Sequence, residues 1–180
     1  MREVITLLFA LVSFIHGSIS EKYELYREFL ETKNVKLAEK ILRKYPNAPF
    51  KNELYIFLIE KYYRTNPRKA KIFIKKLNVK RIPYYKVKEF VKIYKKLGLN
   101  LKPFVVQYPE FFLKDLRKFK LSQEEREKIA KRLYRLRKYR YVLKLTKDCY
   151  LKGKTYYRLE KYKIAERILK NCPKKEPKSF

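Results

Sequence analysis

The two cysteines, Cys149 and Cys172, are the residues whose spacing most clearly suggests chemistry. They stand at the beginning and at the end of a segment that predicts two consecutive helices. In an antiparallel helical hairpin these two points are neighbours, and a disulfide requires Cα atoms within about 7 Å. We therefore predict a disulfide if the chain is exported to an oxidising compartment. The alternative is a pair of unrelated buried thiols. Two cysteines without histidine cannot complete a tetrahedral zinc shell, so we predict no metal site.

Other catalytic arrangements are sparse. The only histidine, His16, falls in an apolar N-terminal segment, so a chain without that segment has no Ser–His or Cys–His pair. Isolated acids such as Glu60, Glu89, Glu110 and Asp115 stand in no catalytic motif, and we expect them to pair with nearby lysines. The three glycines are too few for a phosphate-binding loop. We therefore expect a protein that is not an enzyme and that binds no cofactor.

Charge is the strongest compositional signal. The chain has 48 lysines and arginines against 18 acids, a formal net charge of +30. Such a charge predicts attraction to acidic partners, although a lysine-rich thermophile-like composition also fits it in part. Basic and aromatic residues alternate in segments such as EKYYR, PYYKVK, RLYRLRKYRYVLK and KTYYRLEKYK. One interpretation is nucleic-acid binding, in which tyrosines stack on bases while lysines contact phosphates. The other is that the tyrosines pack between helices while the lysines cover the surface.

The first twenty residues resemble an export signal. A basic start at Arg2 precedes a mostly apolar run from Val4 to Ile15, and small residues follow before Glu21. The apolar run is shorter than the roughly 20 residues that span a bilayer. We predict a leader over 1–20, a mature chain from about Glu21 without a transmembrane span, and a periplasmic or secreted location. An apolar first helix of a cytoplasmic protein is the alternative.

A short helical pattern recurs along the rest of the chain. Residues 36–46 (KLAEKILRKYP) and 163–173 (KIAERILKNCP) match closely, and each places Ala, Ile and Leu on one face before a proline. Residues 67–77 form a weaker copy, with Asn66 as the predicted N-cap and Pro67 in the first turn. Two fainter copies cover 100–109 and 138–149.

An aromatic-rich helix is predicted before each of these copies. The five predicted helices cover 22–32, 51–64, 83–97, 123–137 and 150–159, and Ser122 with Glu125 forms a capping box. The aligned Ala38, Ala70 and Leu101 recur at 32 and 31 residues, a period typical of helical-hairpin arrays. The predicted fold is all-α, with stacked antiparallel helical hairpins in irregular repeats.

These hairpins resemble the tetratricopeptide family. In the last hairpin, Gly153, Tyr156, Ala165 and Pro177 fall at the family's small, aromatic, small and proline positions, while Leu169 and Cys172 replace its usual aromatic and alanine. In the first hairpin the same register is occupied by Tyr26, Phe29, Ala38 and Leu42. The resemblance implies an α-solenoid in which these residues and Ala70 pack the repeats together.

Two further resemblances concern function. The disulfide hairpin is similar to those of secreted Sel1-type repeat proteins. The whole chain also looks like the helical domain of soluble lytic transglycosylases, without anything like their catalytic domain. We therefore expect a leader (1–20), a helical-repeat domain (21–172) and a basic tail (173–180), which together form a non-catalytic protein that binds an acidic envelope protein or polymer. The alternatives are a nucleic-acid-binding protein, whose contacts would be non-specific, and an accessory domain of a cell-wall lytic enzyme.

Overall fold

The computed structural model describes residues 21–173 as a chain of helices joined by turns, without a strand in that range. The predicted leader (1–20) and most of the predicted tail (174–180) lie outside the described residues. The α-helices are α1 (21–32), α2 (Val35–Lys44), α3 (Lys51–Thr65), α4 (Pro67–Lys76), α5 (Val87–Lys96), α6 (Lys102–Gln107), α7 (Gln123–Arg135), α8 (Tyr139–Leu145), α9 (Cys149–Arg158) and α10 (Tyr162–Lys170). Short 3₁₀ turns cover Val79–Arg81, Tyr84–Lys86, Pro109–Phe111 and Leu116–Lys118. The prediction of an all-α protein is confirmed.

The helices form two units that divide after Pro83. Unit 1 contains α1 to α4, and its core joins the apolar faces of α1, α2 and α3. The buried side chains of this core are Phe29, Leu37, Ala38, Ile41, Ala48, Phe50, Leu54 and Leu58.

Unit 2 contains α5 to α10, in which α7 packs against α8 and α9 packs against α10. Its largest fully buried side chains are Phe90, Ile93, Phe104, Ile129 and Leu133, with Val87, Val105 and Val142. The closest packing between consecutive helices therefore lies within α7–α8 and α9–α10 in unit 2 and within α3–α4 in unit 1.

Several helix starts are fixed by side chains that the sequence identifies. Ser122 and Glu125 form the predicted capping box of α7, with Glu125 N–H donating to Ser122 Oγ over 3.2 Å. Asn66 accepts from the Lys69 N–H at the start of α4, where Pro67 occupies the first turn. These caps satisfy backbone N–H groups that have no partner inside the helix. Both predicted helix starts are confirmed.

The first helix of four pairs ends in the same backbone turn. Lys33, Gly98, Arg137 and Glu160 follow α1, α5, α7 and α9 with φ of 49°, 65°, 57° and 61°. After α7 the Lys138 N–H donates to the Leu133 carbonyl over 2.9 Å, and after α9 the Lys161 N–H donates to the Tyr156 carbonyl over 3.0 Å. This left-handed closure reverses the chain directly after the helix. Only one of the four positions is glycine, so three of these turns carry no sequence signal.

A buried side chain also recurs at one position in the second helix of each pair. This position lies four residues after the N-cap of that helix. These positions are 0–1% exposed in all five pairs, and they are Ala38, Ala70, Val105, Val142 and Ala165. In the third pair, the residue at this position is Val105. The sequence alignment predicted Leu101 at this position, but Leu101 is the N-cap of α6.

The predicted copy over 138–149 differs most from the structure. Its helix α8 ends at Leu145, so the copy stops four residues before Cys149, which begins α9; in the last copy, Cys172 comes only two residues after the end of α10. The break is stabilised by Glu127, which accepts from the Thr146 hydroxyl and from the Lys147 N–H at 2.6 Å. Burial raises the pKa of Glu127, but these hydrogen bonds outweigh it and hold the pKa below its ordinary value. Asp148 then caps α9 by accepting from the Leu151 N–H.

Candidate functional site

The cysteine pair joins the two ends of the last helix pair. Cys149 Sγ and Cys172 Sγ lie 1.98 Å apart, and the Cα atoms lie 5.6 Å apart. The start of α9 therefore lies beside the end of α10, and the predicted pairing is confirmed as a disulfide-distance contact. Its position at the end of a helix pair indicates a structural role.

The other predicted residues lie at packing contacts between helices. In unit 1, Phe29 and Ala38 are buried in the core, while Tyr26 and Leu42 pack against it half-buried. Ala70 is fully buried on α4. In unit 2, Gly153 and Ala165 are buried, and Tyr156 and Leu169 are half-buried. A Cβ atom added to Gly153 would lie 2.5 Å from Leu169, which shows how closely α9 and α10 approach.

The structure places some tyrosines in the core and others on the surface. Tyr55, Tyr94 and Tyr108 are at most 7% exposed and pack inside the two units. Burial raises the pKa of Tyr94 to about 12, as expected for a phenol away from water. Tyr85 is 80% exposed, and the Tyr157–Tyr162 pair is more than half exposed with ring centroids 5.3 Å apart. The basic–aromatic pattern therefore contains both core and surface residues.

The best candidate for a binding site is a cavity of about 470 Å³ in unit 2, which we call the basic pocket. One wall comes from the connector between α6 and α7, and the other comes from α7 and α8. Its apolar surface consists of Leu113, Leu116, Phe119, Leu121 and Leu145 with the ring of Tyr141, and its cations are Lys114, Arg117, Arg126 and Lys144.

The connector that builds this pocket covers 108–122 and is fixed at several points. Glu110 accepts a bidentate pair of hydrogen bonds from Arg132 of α7, at 2.6 and 3.0 Å, and its side chain is only 11% exposed. The hydrogen bonds to Glu110 raise the pKa of Arg132. Arg126 donates to the Leu121 carbonyl over 3.3 Å. The buried Phe112 and Leu116 anchor the same segment to the unit.

The electrostatics of the pocket are one-sided. Four cations and no carboxylate are among its lining residues. Asp115 lies in the same connector but pairs with Lys118 at 2.7 Å, a contact that holds the pKa of Asp115 below its ordinary value. Between residues 84 and 173 the sequence has 27 lysines and arginines against 9 acids, an excess of 18. An anion in the pocket would therefore meet a net positive charge.

This lining suits the binding of an anion that also carries an apolar group. Cations beside apolar side chains can hold the anionic group while the adjacent apolar group is removed from water. Among residues 21–173, no three His, Cys, Asp or Glu side chains come together as a metal-binding group. In the same range, no helix combines the length and the apolarity needed to cross a bilayer.

The pocket residues were not singled out from the sequence, because the connector has no helical period and no recognised motif. The available signal was the spacing between hairpins, which lengthens between Leu101 and Val142. A connector of about 15 residues between helices is uncommon in a small domain, and such segments often carry function. In this chain the extra residues form one wall of the basic pocket.

Comparison with known protein families and with solved structures gives no positive result. No family model matches the chain, and no solved structure matches it significantly.

Proposed function

We propose that this protein is a non-catalytic, exported helical-repeat protein that binds an acidic envelope partner through the basic pocket of unit 2. The observation that carries the proposal is the lining of the pocket, which combines Lys114, Arg117, Arg126 and Lys144 with apolar side chains and contains no carboxylate. The partner that fits best is an acidic protein segment with an apolar side chain among its carboxylates. An acidic cell-wall polymer shares the charge of this partner but has less apolar surface to bury.

The repeat interpretation is supported by the helix pairs. Left-handed turns recur after α1, α5, α7 and α9, and a buried residue recurs four positions after each second N-cap. In a tetratricopeptide-like array these positions bring the two helices of a hairpin together. The unequal spacing between pairs makes the array irregular and leaves room for the connector 108–122.

Export is supported by the cysteine pair. A disulfide-distance pair with Cα atoms 5.6 Å apart is typical of proteins that fold in an oxidising compartment. Together with the predicted leader (1–20), it favours a periplasmic or secreted location over a cytoplasmic one.

The second candidate function is nucleic-acid binding. It is favoured by the exposed tyrosines of α9 and α10, Tyr157 and Tyr162, in a unit with a large basic excess. Exposed aromatic rings beside cations are the elements from which single-stranded nucleic acids are bound without sequence preference. The pocket is a more specific feature than this surface, so we place the acidic partner first.

The salt dependence of binding distinguishes the two functions. We expect the affinity for duplex DNA to fall with a log–log salt slope near −0.9 for each phosphate contacted, because released counterions drive that binding. The affinity for an acidic peptide that contains leucine or phenylalanine should be retained better between about 0.05 and 0.2 M salt, because apolar burial is not screened. Fluorescence anisotropy with both ligands measures the two slopes. Tight, sequence-selective DNA binding at about 0.2 M salt would instead establish the second function.

A further inference from the structure

A second cation-lined cavity lies at the turn between α7 and α8, and it shares no lining residue with the basic pocket. It is an open pocket of about 460 Å³ lined by Tyr134, Arg135, Arg137, Tyr139 and Arg158, which we call the Arg–Tyr cluster. The cluster brings together one turn of the chain and the last residue of α9. Neither the predicted packing residues nor the proposed function uses it.

Hydrogen-bond donors dominate the cluster. Each guanidinium carries five N–H donors and no acceptor, and no carboxylate is among the lining residues. Arg158 hydrogen-bonds to the phenol oxygen of Tyr134. Because that oxygen acts as acceptor in this contact, the hydroxyl proton of Tyr134 can be donated to a ligand. The cavity therefore presents donors and positive charge to whatever occupies it.

The backbone of the cluster is fixed before any ligand binds. Arg137 occupies the left-handed position after α7, with its N–H donating to the Tyr134 carbonyl over 3.0 Å. The next residue, Lys138, donates to the Leu133 carbonyl over 2.9 Å and closes the turn. The rings of Tyr134 and Tyr139 lie 5.6 Å apart. A ligand would therefore meet a turn that is already closed.

We propose that the Arg–Tyr cluster binds a dianionic phosphate group, such as a terminal phosphomonoester. Three guanidinium groups line the cavity, and no Asp or Glu side chain is among the lining residues. A ligand with a single carboxylate group would therefore leave part of this positive charge unneutralised. Guanidinium groups match phosphate oxygens in planar, bidentate geometry, which lysine cannot reproduce. A phosphomonoester has enough oxygens to accept from all three arginines and from Tyr134 at once.

The variant Arg137→Gly separates binding from folding. Glycine adopts a positive φ without strain, so the melting temperature of the full-length chain should stay equal or rise. The affinity for inorganic phosphate should nevertheless fall at least about tenfold, since a charge-assisted contact is lost. The matched control is Lys33→Gly, which removes one positive charge from the equivalent turn after α1 in unit 1. It should leave phosphate binding unchanged.

The test uses isothermal titration of the full-length chain with inorganic phosphate, dimethyl phosphate and acetate. Inorganic phosphate should bind at least about tenfold more tightly than either monoanion. Binding to vesicles that display phosphatidate headgroups would indicate a lipid source of the phosphate. Binding of inorganic phosphate without binding to these vesicles would indicate a soluble source. If Arg137→Gly retains full phosphate affinity, if Lys33→Gly loses as much, or if acetate binds as well as phosphate, the proposal is overturned.

Discussion

Replacing Gly153 with leucine is expected to lower the melting temperature by about 5–10 °C, which corresponds to an overpacking cost of about 2–3 kcal/mol. A Cβ atom at this position would lie 2.5 Å from both Cγ and Cδ2 of Leu169. Carbon atoms cannot approach so closely, so α10 would have to move away from α9 or Leu169 would have to leave its place. The disulfide between Cys149 and Cys172 closes the same end of the pair, about one helical turn from Gly153 and Leu169. Because it restricts that movement, the clash is not easily relieved.

Two further variants make this prediction specific. Lys154→Leu introduces the same side chain one residue later, at an exposed position of α9, and should leave the melting temperature nearly unchanged. The double variant Gly153→Ala with Leu169→Ala removes the group that the new Cβ would meet and should be more stable than Gly153→Ala alone. Thermal unfolding followed by circular dichroism gives all of these values. An unchanged melting temperature in Gly153→Leu would mean that α9 and α10 do not approach at this point.

The second large effect is expected from the disulfide. Opening a closed loop of this length costs about 3 kcal/mol in the chain-entropy model. The loss should be largest in the last helix pair, because Cys149 and Cys172 fix the start of α9 to the end of α10. Hydrogen exchange of the double variant Cys149→Ala with Cys172→Ala should therefore accelerate in α9 and α10. The internal control is the helix pair α3–α4 of unit 1, whose exchange should change least.

Urea unfolding with and without a reductant measures the same contribution in the unmodified protein. The midpoint should fall on reduction, and the double alanine variant should not respond to the reductant. Equal midpoints in both conditions would contradict a stabilising disulfide. Two titratable thiols in protein recovered from an oxidising compartment would contradict the pairing itself.

The parts of the fold that the sequence predicts are those fixed by local interactions. The capping box of Ser122 and Glu125 and the start of α4 at Asn66 and Pro67 depend on neighbouring residues, and both were predicted. Four of the five first helices also begin and end within two residues of their predicted bounds, since their apolar residues recur with the helical period. The third, predicted from residue 83, begins at Val87 after a 3₁₀ turn. The cysteine pair was predictable because an antiparallel hairpin places its two ends together.

The parts that could not be predicted depend on contacts between distant residues. The left-handed turns at Lys33, Arg137 and Glu160 contain no glycine, so their side chains give no sign of them. The end of α8 at Leu145 depends on Glu127, which lies almost twenty residues earlier. The basic pocket depends on the way the connector 108–122 folds back onto α7 and α8, and no periodic pattern in the sequence indicates that arrangement.

The central proposal is that the basic pocket, rather than net charge alone, binds the acidic partner. The direct measurement compares two variants of the full-length chain, each with two reversed charges, for binding to one acidic peptide that contains apolar residues. Binding is measured at about 0.15 M salt, because long-range attraction is screened under that condition. Arg117→Glu with Lys144→Glu changes the pocket, and Lys71→Glu with Lys75→Glu makes the same charge change on exposed residues of α4. We predict at least about tenfold weaker binding for the pocket variant and little change for the control. Equal weakening in both variants would contradict the proposal, because the affinity would then follow the net charge.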